Sequence, residues 1–270
     1  MHRYLLKLGP VTIYSYGAML ALAFIAGTLL AAYRAQRQGL DKNKIIDLIF
    51  YILVSSVIGA RLLYVALNWR YYSASPGEIF KIWEGGLVFY GGLIIAFAAA
   101  VWFIRRNRMP FGKTMDILAP SLALGIAIGR IGCFLNGCCW GKISYNFGIR
   151  FPFKDNPPVY AQQLSEGLIP QGALCSLPVI PAQLYESAAC LIMFFFLLWL
   201  EGHKRFEGFL FWAFIALYCA FRFIIEYFRY YEANFIFGIF TASQIISMGL
   251  FITAAVILFS GTRARSGRPL

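Results

Sequence analysis

Arginines inside apolar segments are the residues of this sequence whose type and position could do chemistry. Arg130 ends a long apolar run within the stretch 129–142, GRIGCFLNGCCWGK, which continues with glycines, thiols and the Asn136 amide. Arg61 and Arg222 lie within two other apolar runs. A charged side chain in such a run is costly, so it usually faces protein, water or an anion. Because a guanidinium group fits a phosphate with two parallel hydrogen bonds and keeps its charge, these arginines predict an anion site.

A stripe of polar residues in the sixth apolar run supports this prediction. Its members are spaced i, i+4, i+8 and i+11, so a helix places them on one face. An Arg–Glu pair that only packs helices together is the structural alternative. Intramembrane ionisable groups are functional by default, which favours a functional stripe. The stripe consists of Tyr218, Arg222, Glu226 and Arg229.

The composition indicates that membrane-spanning helices position these residues. Of the 270 residues, 60% are hydrophobic and only 13% are charged, and the mean hydropathy is +0.67. Several apolar runs reach the length of about 18 residues that indicates a membrane span, which excludes an ordinary soluble helical domain. We predict an all-α polytopic membrane protein with about seven transmembrane helices. The predicted spans are 11–33, 45–67, 85–104, 113–132, 183–200, 208–228 and 239–260.

Charge and proline content predict the topology. Lysines and arginines concentrate in one set of loops and at the carboxyl terminus, so the positive-inside rule puts the amino terminus outside and the carboxyl terminus in the cytoplasm. The rest of the net charge of +12 is expected to attract anionic lipid headgroups, and no nucleic acid partner is predicted. Six prolines within 143–182 disfavour a long helix there. We therefore expect a small periplasmic or extracellular head between the fourth and fifth spans of a single integral membrane domain, 1–270.

With this topology, the unusual polar residues fall in the outer halves of the spans. Asp116 precedes Arg130 by 14 residues, about 21 Å along a helix, and is assigned to structure. Three arginines against two glutamates leave a positive surplus, which fits the phosphate of an anionic phospholipid. The residues alone leave a lipid-modifying enzyme and a lipid or anion transporter both open. The outer set is Tyr16, Arg61, Tyr90, Arg130, Gln183, Tyr185, Glu186, Arg222 and Glu226.

The same residues stand in motifs that resemble those of the prolipoprotein diacylglyceryl transferase family. The stretch 129–141 is similar to the family signature, in a cysteine-bearing variant, and GGLVFYGG at 85–92 is similar to its third-span glycine motif. PAQLYE at 181–186, the stripe at 218–229 and Tyr16-Gly17 resemble three further motifs. Each motif is weak alone, but together and in order they cover nearly the whole chain.

The resemblance implies a multi-pass transferase of the bacterial cytoplasmic (inner) membrane, without cofactor or metal. Family members transfer a diacylglyceryl group from phosphatidylglycerol to the lipobox cysteine of a prolipoprotein, forming a thioether and releasing glycerol phosphate. This is the first step of bacterial lipoprotein maturation. Arg130, Arg222 and Arg229 fall on the family's arginines and are expected to bind the lipid phosphate, together with Arg61. A transporter or an inactive lipid-binding paralogue is the alternative. The supporting pocket is expected to contain Tyr16, Asn136, Gln183, Tyr185, Glu186, Tyr218 and Glu226.

The sequence departs from the family pattern where a base for the acceptor thiol is expected. Histidine is common in the family at the positions of Tyr90 and Ile180, and the only histidines here, His2 and His203, lie outside the predicted pocket. Two alternatives remain open. Tyr90 could act as the base if nearby arginines favour its phenolate, or the positive field could favour the substrate thiolate directly. Tyr90 is therefore named with Arg130 and Arg222 as catalytic.

The six cysteines fall into two groups. Cys190 and Cys219 lie inside spans and are expected to pack as small apolar residues. The other four are external under the predicted topology, where disulfides form. A bridge from Cys175 to one of the signature cysteines would tie the head to the signature; separate thiols, or zinc bound by the four thiols, are the alternatives. The spacing matches no common zinc pattern, so no metal is predicted. The signature cysteines are Cys133, Cys138 and Cys139.

Overall fold

The computed structural model describes residues 3–8, 11–154, 156–230, 235–236 and 240–266. His2, Ile239 and Arg268 lie outside the described residues. Within those ranges, seven helices are long and apolar enough to cross a membrane, which confirms an all-α polytopic membrane protein. The shorter α3 and α6 lie between them. The helices are α1 (Ser15–Arg37), α2 (Lys42–Leu67), α3 (Trp69–Ala74), α4 (Phe89–Arg106), α5 (Phe111–Asn136), α6 (Pro158–Ser165), α7 (Ala182–Leu200), α8 (Phe209–Ile225) and α9 (Ala242–Ser266).

The first span begins later than predicted. Residues 11–14 form strand β2 (Val11–Tyr14), which pairs antiparallel with β1 (Tyr4–Leu8). Val11, Thr12 and Ile13 are β-branched, so the local sequence favours a strand despite its apolar character. A second hairpin, β3 (Phe235–Ile236) with β4 (Phe240–Thr241), precedes α9. The start of α1 at Ser15 corrects the predicted boundary.

The chain forms two compact units, one of which is Thr28–Thr114. In this unit α2 and α4 pack closely because glycines lie at their contact. A Cβ on Gly59 would lie 2.6 Å from the Cβ of Ile95, and a Cβ on Gly92 would lie 2.8 Å from the carbonyl oxygen of Ser56. Small residues permit such a close approach between membrane helices.

The other unit combines Met1–Gly27 with Met115–Leu270, and α5 lies in its core. Ala119 of α5 is buried with Leu197 of α7 and Phe214 of α8. Ser187 of α7 donates a hydrogen bond to the carbonyl oxygen of Ala127 in α5 at 2.8 Å. This packing holds α5, α7 and α8 side by side. A single integral membrane domain, 1–270, stays a prediction.

Asp116 holds the start of α8. Its two carboxylate oxygens accept hydrogen bonds from the backbone N–H of Gly208 at 2.9 Å and of Phe211 at 3.1 Å. A carboxylate at a helix amino terminus satisfies orphan N–H groups and favours the helix dipole. The residue is fully buried. This geometry gives Asp116 the structural role that the sequence assigned to it.

The segment 143–182 follows α5 and ends at the first residue of α7, and its described residues contain one short helix, α6. Isolated bridges join Ile149 to Val179 and Pro152 to Cys175. Phe151 and Tyr160 are each 1% exposed and give the segment its own buried side chains. As the prolines predicted, no long helix forms among its described residues. Its position as an external head stays a prediction.

Candidate active site

One buried carboxylate between two arginines forms the centre of the site. Glu186, near the start of α7, has a side chain that is only 2% exposed. Its Oε1 lies 2.8 Å from Nη2 of Arg130 in α5, and its Oε2 lies 3.8 Å from Nη1 of Arg222 in α8. The sequence placed these residues in the outer halves of three different spans. The structure shows that the three helices meet at Glu186.

The polar stripe of α8 joins this centre. The Tyr218 hydroxyl donates to Oε1 of Glu186 at 3.3 Å, and its ring stacks on Phe214. Nη2 of Arg222 lies 3.3 Å from Oε2 of Glu226, whose side chain is 2% exposed. The spacing i, i+4, i+8 therefore brings Tyr218, Arg222 and Glu226 into one hydrogen-bonded and ionic network, as predicted from a helical face.

Two hydroxyl residues beside the start of α9, one at the end of β4 and one in the first turn of α9, join the network, and sequence reasoning missed them. Nε of Arg222 donates to Oγ of Ser243 at 3.2 Å. Oγ1 of Thr241 donates to Oε1 of Glu226 at 2.8 Å. Hydroxyl residues at the beginning of a helix are typical caps, so their sequence position gave no separate signal for the site.

The signature loop after α5 is held from two sides. Nε2 of Gln183 donates to the carbonyl oxygen of Cys138 at 2.6 Å. The N–H of Gly141 donates to the carbonyl oxygen of Ile180, and the N–H of Lys142 donates to that of Phe228, both at 2.8 Å. Gln183 is thus a positioning residue that ties the loop to α7.

The three signature cysteines form a cluster, which we call the thiol cluster. The Sγ atoms of Cys133, Cys138 and Cys139 all lie within 4.8 Å of one another, and each residue is partly exposed. Hydrogen bonds with the Cys133 and Cys138 thiols lower the pKa of Cys139, and Arg229 and Arg130 lower it further.

No disulfide links Cys175 to a signature cysteine in this structure. All six cysteines are free thiols. Cys175 lies outside the thiol cluster and instead forms a backbone bridge with Pro152 in the segment 143–182. Cys190 and Cys219 are buried inside α7 and α8. The structure thus has the separate thiols that were the alternative to the bridge.

The other supporting residues lie around this centre. Tyr16, at the start of α1, is 40% exposed and lies within electrostatic reach of Arg130 and the thiol cluster. Asn136 is the last residue of α5 and lies within hydrogen-bonding reach of Cys138. Tyr185 precedes Glu186 in α7 and is 43% exposed. Arg229 follows α8, where its backbone pairs with that of Gly141 in the signature loop. Their functional roles stay predictions.

Arg61 lies in the unit Thr28–Thr114 and is occupied by backbone carbonyls. Its Nε donates to Ile79 and its Nη1 to Gly85, both at 2.8 Å, and its Nη2 donates to Glu78 at 2.7 Å. The guanidinium also lies over the ring of Tyr72. These contacts fasten the connection between α3 and α4. Phosphate binding by Arg61 stays a prediction that this geometry does not favour.

Tyr90 also belongs to this unit, as the second residue of α4. Its side chain is 46% exposed, and its ring meets the edge of the Phe89 ring at a centroid distance of 5.8 Å. Its role as a base stays a prediction.

The charges at the centre nearly balance. Arg130 and Arg222 face Glu186 and Glu226, and Arg229 acts electrostatically on Cys139 in the signature loop. The side chains of Arg130 and Arg222 are 20% and 15% exposed, so an entering anion can reach them. Guanidinium groups fixed by carboxylates can bind a phosphate and stabilise negative charge on a leaving group.

Comparison with known proteins agrees with these motifs. A family model described as prolipoprotein diacylglyceryl transferase matches residues 3–260. A relative from Geobacillus kaustophilus, named phosphatidylglycerol–prolipoprotein diacylglyceryl transferase, is 36% identical over 265 residues, which cover 98% of this chain and 94% of that protein. A relative with the same name from Xanthomonas oryzae is 35% identical, over 98% of this chain and 92% of that protein. Another from Geobacter sulfurreducens is 32% identical, over 97% of this chain and 95% of that protein. The matched range includes every residue of the site.

Proposed function

The chain belongs to the prolipoprotein diacylglyceryl transferase family, and we propose that it transfers a diacylglyceryl group from phosphatidylglycerol to the lipobox cysteine of prolipoproteins. The products are a thioether and glycerol phosphate. The contact of Arg130 and Arg222 with the single carboxylate of Glu186 is the observation that supports this proposal most. It holds two guanidinium groups side by side at the position that a lipid phosphate would approach.

The proposed role of the arginines follows from the charge that develops during the reaction. The acceptor sulfur forms a bond to the glycerol carbon while the bond from that carbon to the phosphate oxygen breaks. The departing glycerol phosphate takes both electrons of that bond and gains a negative charge. Donors oriented before the reaction stabilise such charge without further reorganisation. Arg130 and Arg222 would do this, and Glu186 would keep them oriented until the phosphate binds.

The acceptor thiol must lose its proton, because the thiolate is the nucleophile. Two alternatives for the loss of this proton remain from the sequence: Tyr90 acts as the base, or a positive field from the arginines favours the thiolate. The lowered pKa of Cys139 in the neighbouring loop comes first from hydrogen bonds with the Cys133 and Cys138 thiols and then from Arg229 and Arg130, and this arginine contribution supports the field alternative.

The proposal includes a location. The protein would lie in the bacterial cytoplasmic membrane with the amino terminus outside and the carboxyl terminus in the cytoplasm. The segment 143–182 would then lie outside as the head, and the ends of α5, α7 and α8 that carry Arg130, Glu186 and Arg222 would open to the outer leaflet. Phosphatidylglycerol and the lipobox of a membrane-anchored precursor would meet there.

A transfer assay tests the function. The purified protein in phosphatidylglycerol vesicles is incubated with a lipobox peptide, and mass spectrometry detects the diacylglyceryl thioether. Product with the cysteine peptide, and none with the same peptide carrying serine, is expected. Lipid movement between leaflets without product would indicate a transporter, and lipid or peptide binding without product would indicate an inactive paralogue.

A further inference from the structure

The thiol cluster has the composition and geometry of a site for a soft metal ion. Three Sγ atoms within 4.8 Å of one another need only small side-chain rotations to reach one ion, since a zinc–sulfur bond is about 2.3 Å long. The cluster consists of cysteines alone, and each is partly exposed. Three thiolates around an open position resemble the ligand number of catalytic zinc sites, in which a fourth position is left for another molecule.

The local backbone holds the three thiols together. Cys133 lies in the last turn of α5, and the N–H of Cys138 donates to its carbonyl oxygen at 3.1 Å. Gly137 has φ +73°, and Cys139 has φ +61°, a left-handed conformation that few residues other than glycine adopt. Such strain persists only where the surroundings fix it, and it is common at functional sites. The hydrogen bond from Gln183 to the carbonyl oxygen of Cys138 fixes the loop from α7.

The surrounding charge suits three thiolates and one divalent cation. Three thiolates with a divalent ion carry one net negative charge. Arg130 and Arg229 act electrostatically on Cys139, so that charge has positive neighbours. Cys133 also follows Arg130 by three residues on the same helix, which places both on one face beside the proposed phosphate site.

We propose that Cys133, Cys138 and Cys139 bind one Zn²⁺ ion, whose fourth position takes the sulfur of the acceptor cysteine. This inference rests on the proposed function, because it assigns a role in that reaction. Zinc suits the site because it accepts thiolate ligands in a tetrahedral arrangement and takes no part in redox chemistry. A thiol that coordinates zinc is deprotonated outright.

The chemistry of this step balances. The acceptor thiol binds the ion, its S–H bond breaks, and the proton passes to water. The bound sulfur then forms the bond to the glycerol carbon while the carbon–oxygen bond to the phosphate breaks, and glycerol phosphate leaves beside Arg130 and Arg222. The thioether is a weaker ligand than a thiolate and leaves the ion, while the three cysteine ligands are unchanged.

Metal binding is tested first, on the full chain in lipid nanodiscs. Chelator-treated protein is titrated with Co²⁺, which reports tetrahedral thiolate coordination by sulfur-to-cobalt absorption, and bound Zn²⁺ is measured after equilibration. We expect about one ion per chain for the wild type and for the matched control Cys175→Ser, whose thiol lies outside the cluster. Cys133→Ser, Cys138→Ser and Cys139→Ser should each weaken binding at least about tenfold. Equal binding by folded cluster variants, or no binding by the wild type, would overturn the proposal.

The open position is tested by adding the acceptor. A lipobox peptide with cysteine should raise the sulfur-to-cobalt absorption by roughly a third, because a fourth sulfur joins three, whereas the serine peptide should not. An unchanged spectrum would overturn the assignment of the fourth position. The rate of diacylglyceryl transfer by the metal-free and the zinc-loaded wild type distinguishes the zinc proposal from the transferase proposal. Full transfer without metal would overturn the zinc inference and leave the transferase function intact, whereas zinc binding without transfer under any condition would count against the transferase.

Discussion

Replacement of Glu186 by glutamine should destabilise the protein strongly, because the carboxylate balances two arginines. Glu186→Gln keeps the shape of the side chain and an oxygen that can accept from Tyr218, but it removes the charge facing Arg130 at 2.8 Å and Arg222 at 3.8 Å. Two unit charges about 4 Å apart interact by about 4 kcal/mol at an effective dielectric constant near 20. Removing one partner of a buried pair costs about 3–5 kcal/mol. Since Arg130 and Arg222 are partly exposed, we expect a loss of about 2–3 kcal/mol in unfolding free energy.

The chain offers a matched control for this variant. Glu166 also accepts a tyrosine hydroxyl, from Tyr230 at 2.7 Å, but it is exposed. Glu166→Gln should therefore change the unfolding free energy by no more than about 0.5 kcal/mol. Unfolding of both variants is measured in mixed micelles by denaturant titration, and Arg130→Gln with Glu186→Gln completes a double-mutant cycle. Equal stability of the two glutamine variants, with no coupling in the cycle, would refute the ionic reasoning.

Three further predictions concern other parts of the molecule. Asp116→Ala should lower the unfolding free energy by about 1–3 kcal/mol, because the N–H groups of Gly208 and Phe211 lose their acceptor; unchanged stability would contradict the cap. Gly132→Ala should destabilise by about 1–3 kcal/mol, because the new Cβ would lie 2.9 Å from the Cβ of Met19; a neutral Gly132→Ala would contradict the close packing. If zinc activates the acceptor thiol, Tyr90→Phe should keep the transfer rate within about threefold of the wild-type rate from pH 6 to pH 9. A fall of about 100-fold would instead identify Tyr90 as the base that removes the proton from the acceptor thiol.

The spans and the stripe of α8 could be predicted because their signals are local. Apolar runs of membrane-spanning length determine helices whatever their neighbours, and the i, i+4, i+8 spacing of Tyr218, Arg222 and Glu226 fixes one face. The contact of Arg130 with Glu186 depends on how α5 and α7 are packed, so the sequence could place both residues at one depth but could not pair them. The strand at Val11–Tyr14 was missed because its residues are also apolar enough for a span.

What the sequence could not show at the site has physical causes of the same kind. Arg61 donates to carbonyls of Ile79, Gly85 and Glu78, and backbone acceptors carry no sequence signal. The thiol cluster was missed because it forms only when the chain turns back at Gly137 and at Cys139, which has an uncommon positive φ. Spacing along the chain says little about such a turn.

The rate of transfer by arginine variants tests the central claim most directly. Arg130→Ala and Arg222→Ala, with Arg106→Ala as an exposed control, are compared with the wild type in phosphatidylglycerol vesicles, each as a monodisperse, folded preparation. We predict that kcat/KM falls at least about 100-fold for Arg130→Ala and Arg222→Ala and changes less than about threefold for Arg106→Ala, because only the first two stabilise the departing phosphate. Near-wild-type transfer by folded Arg130→Ala or Arg222→Ala would contradict the account.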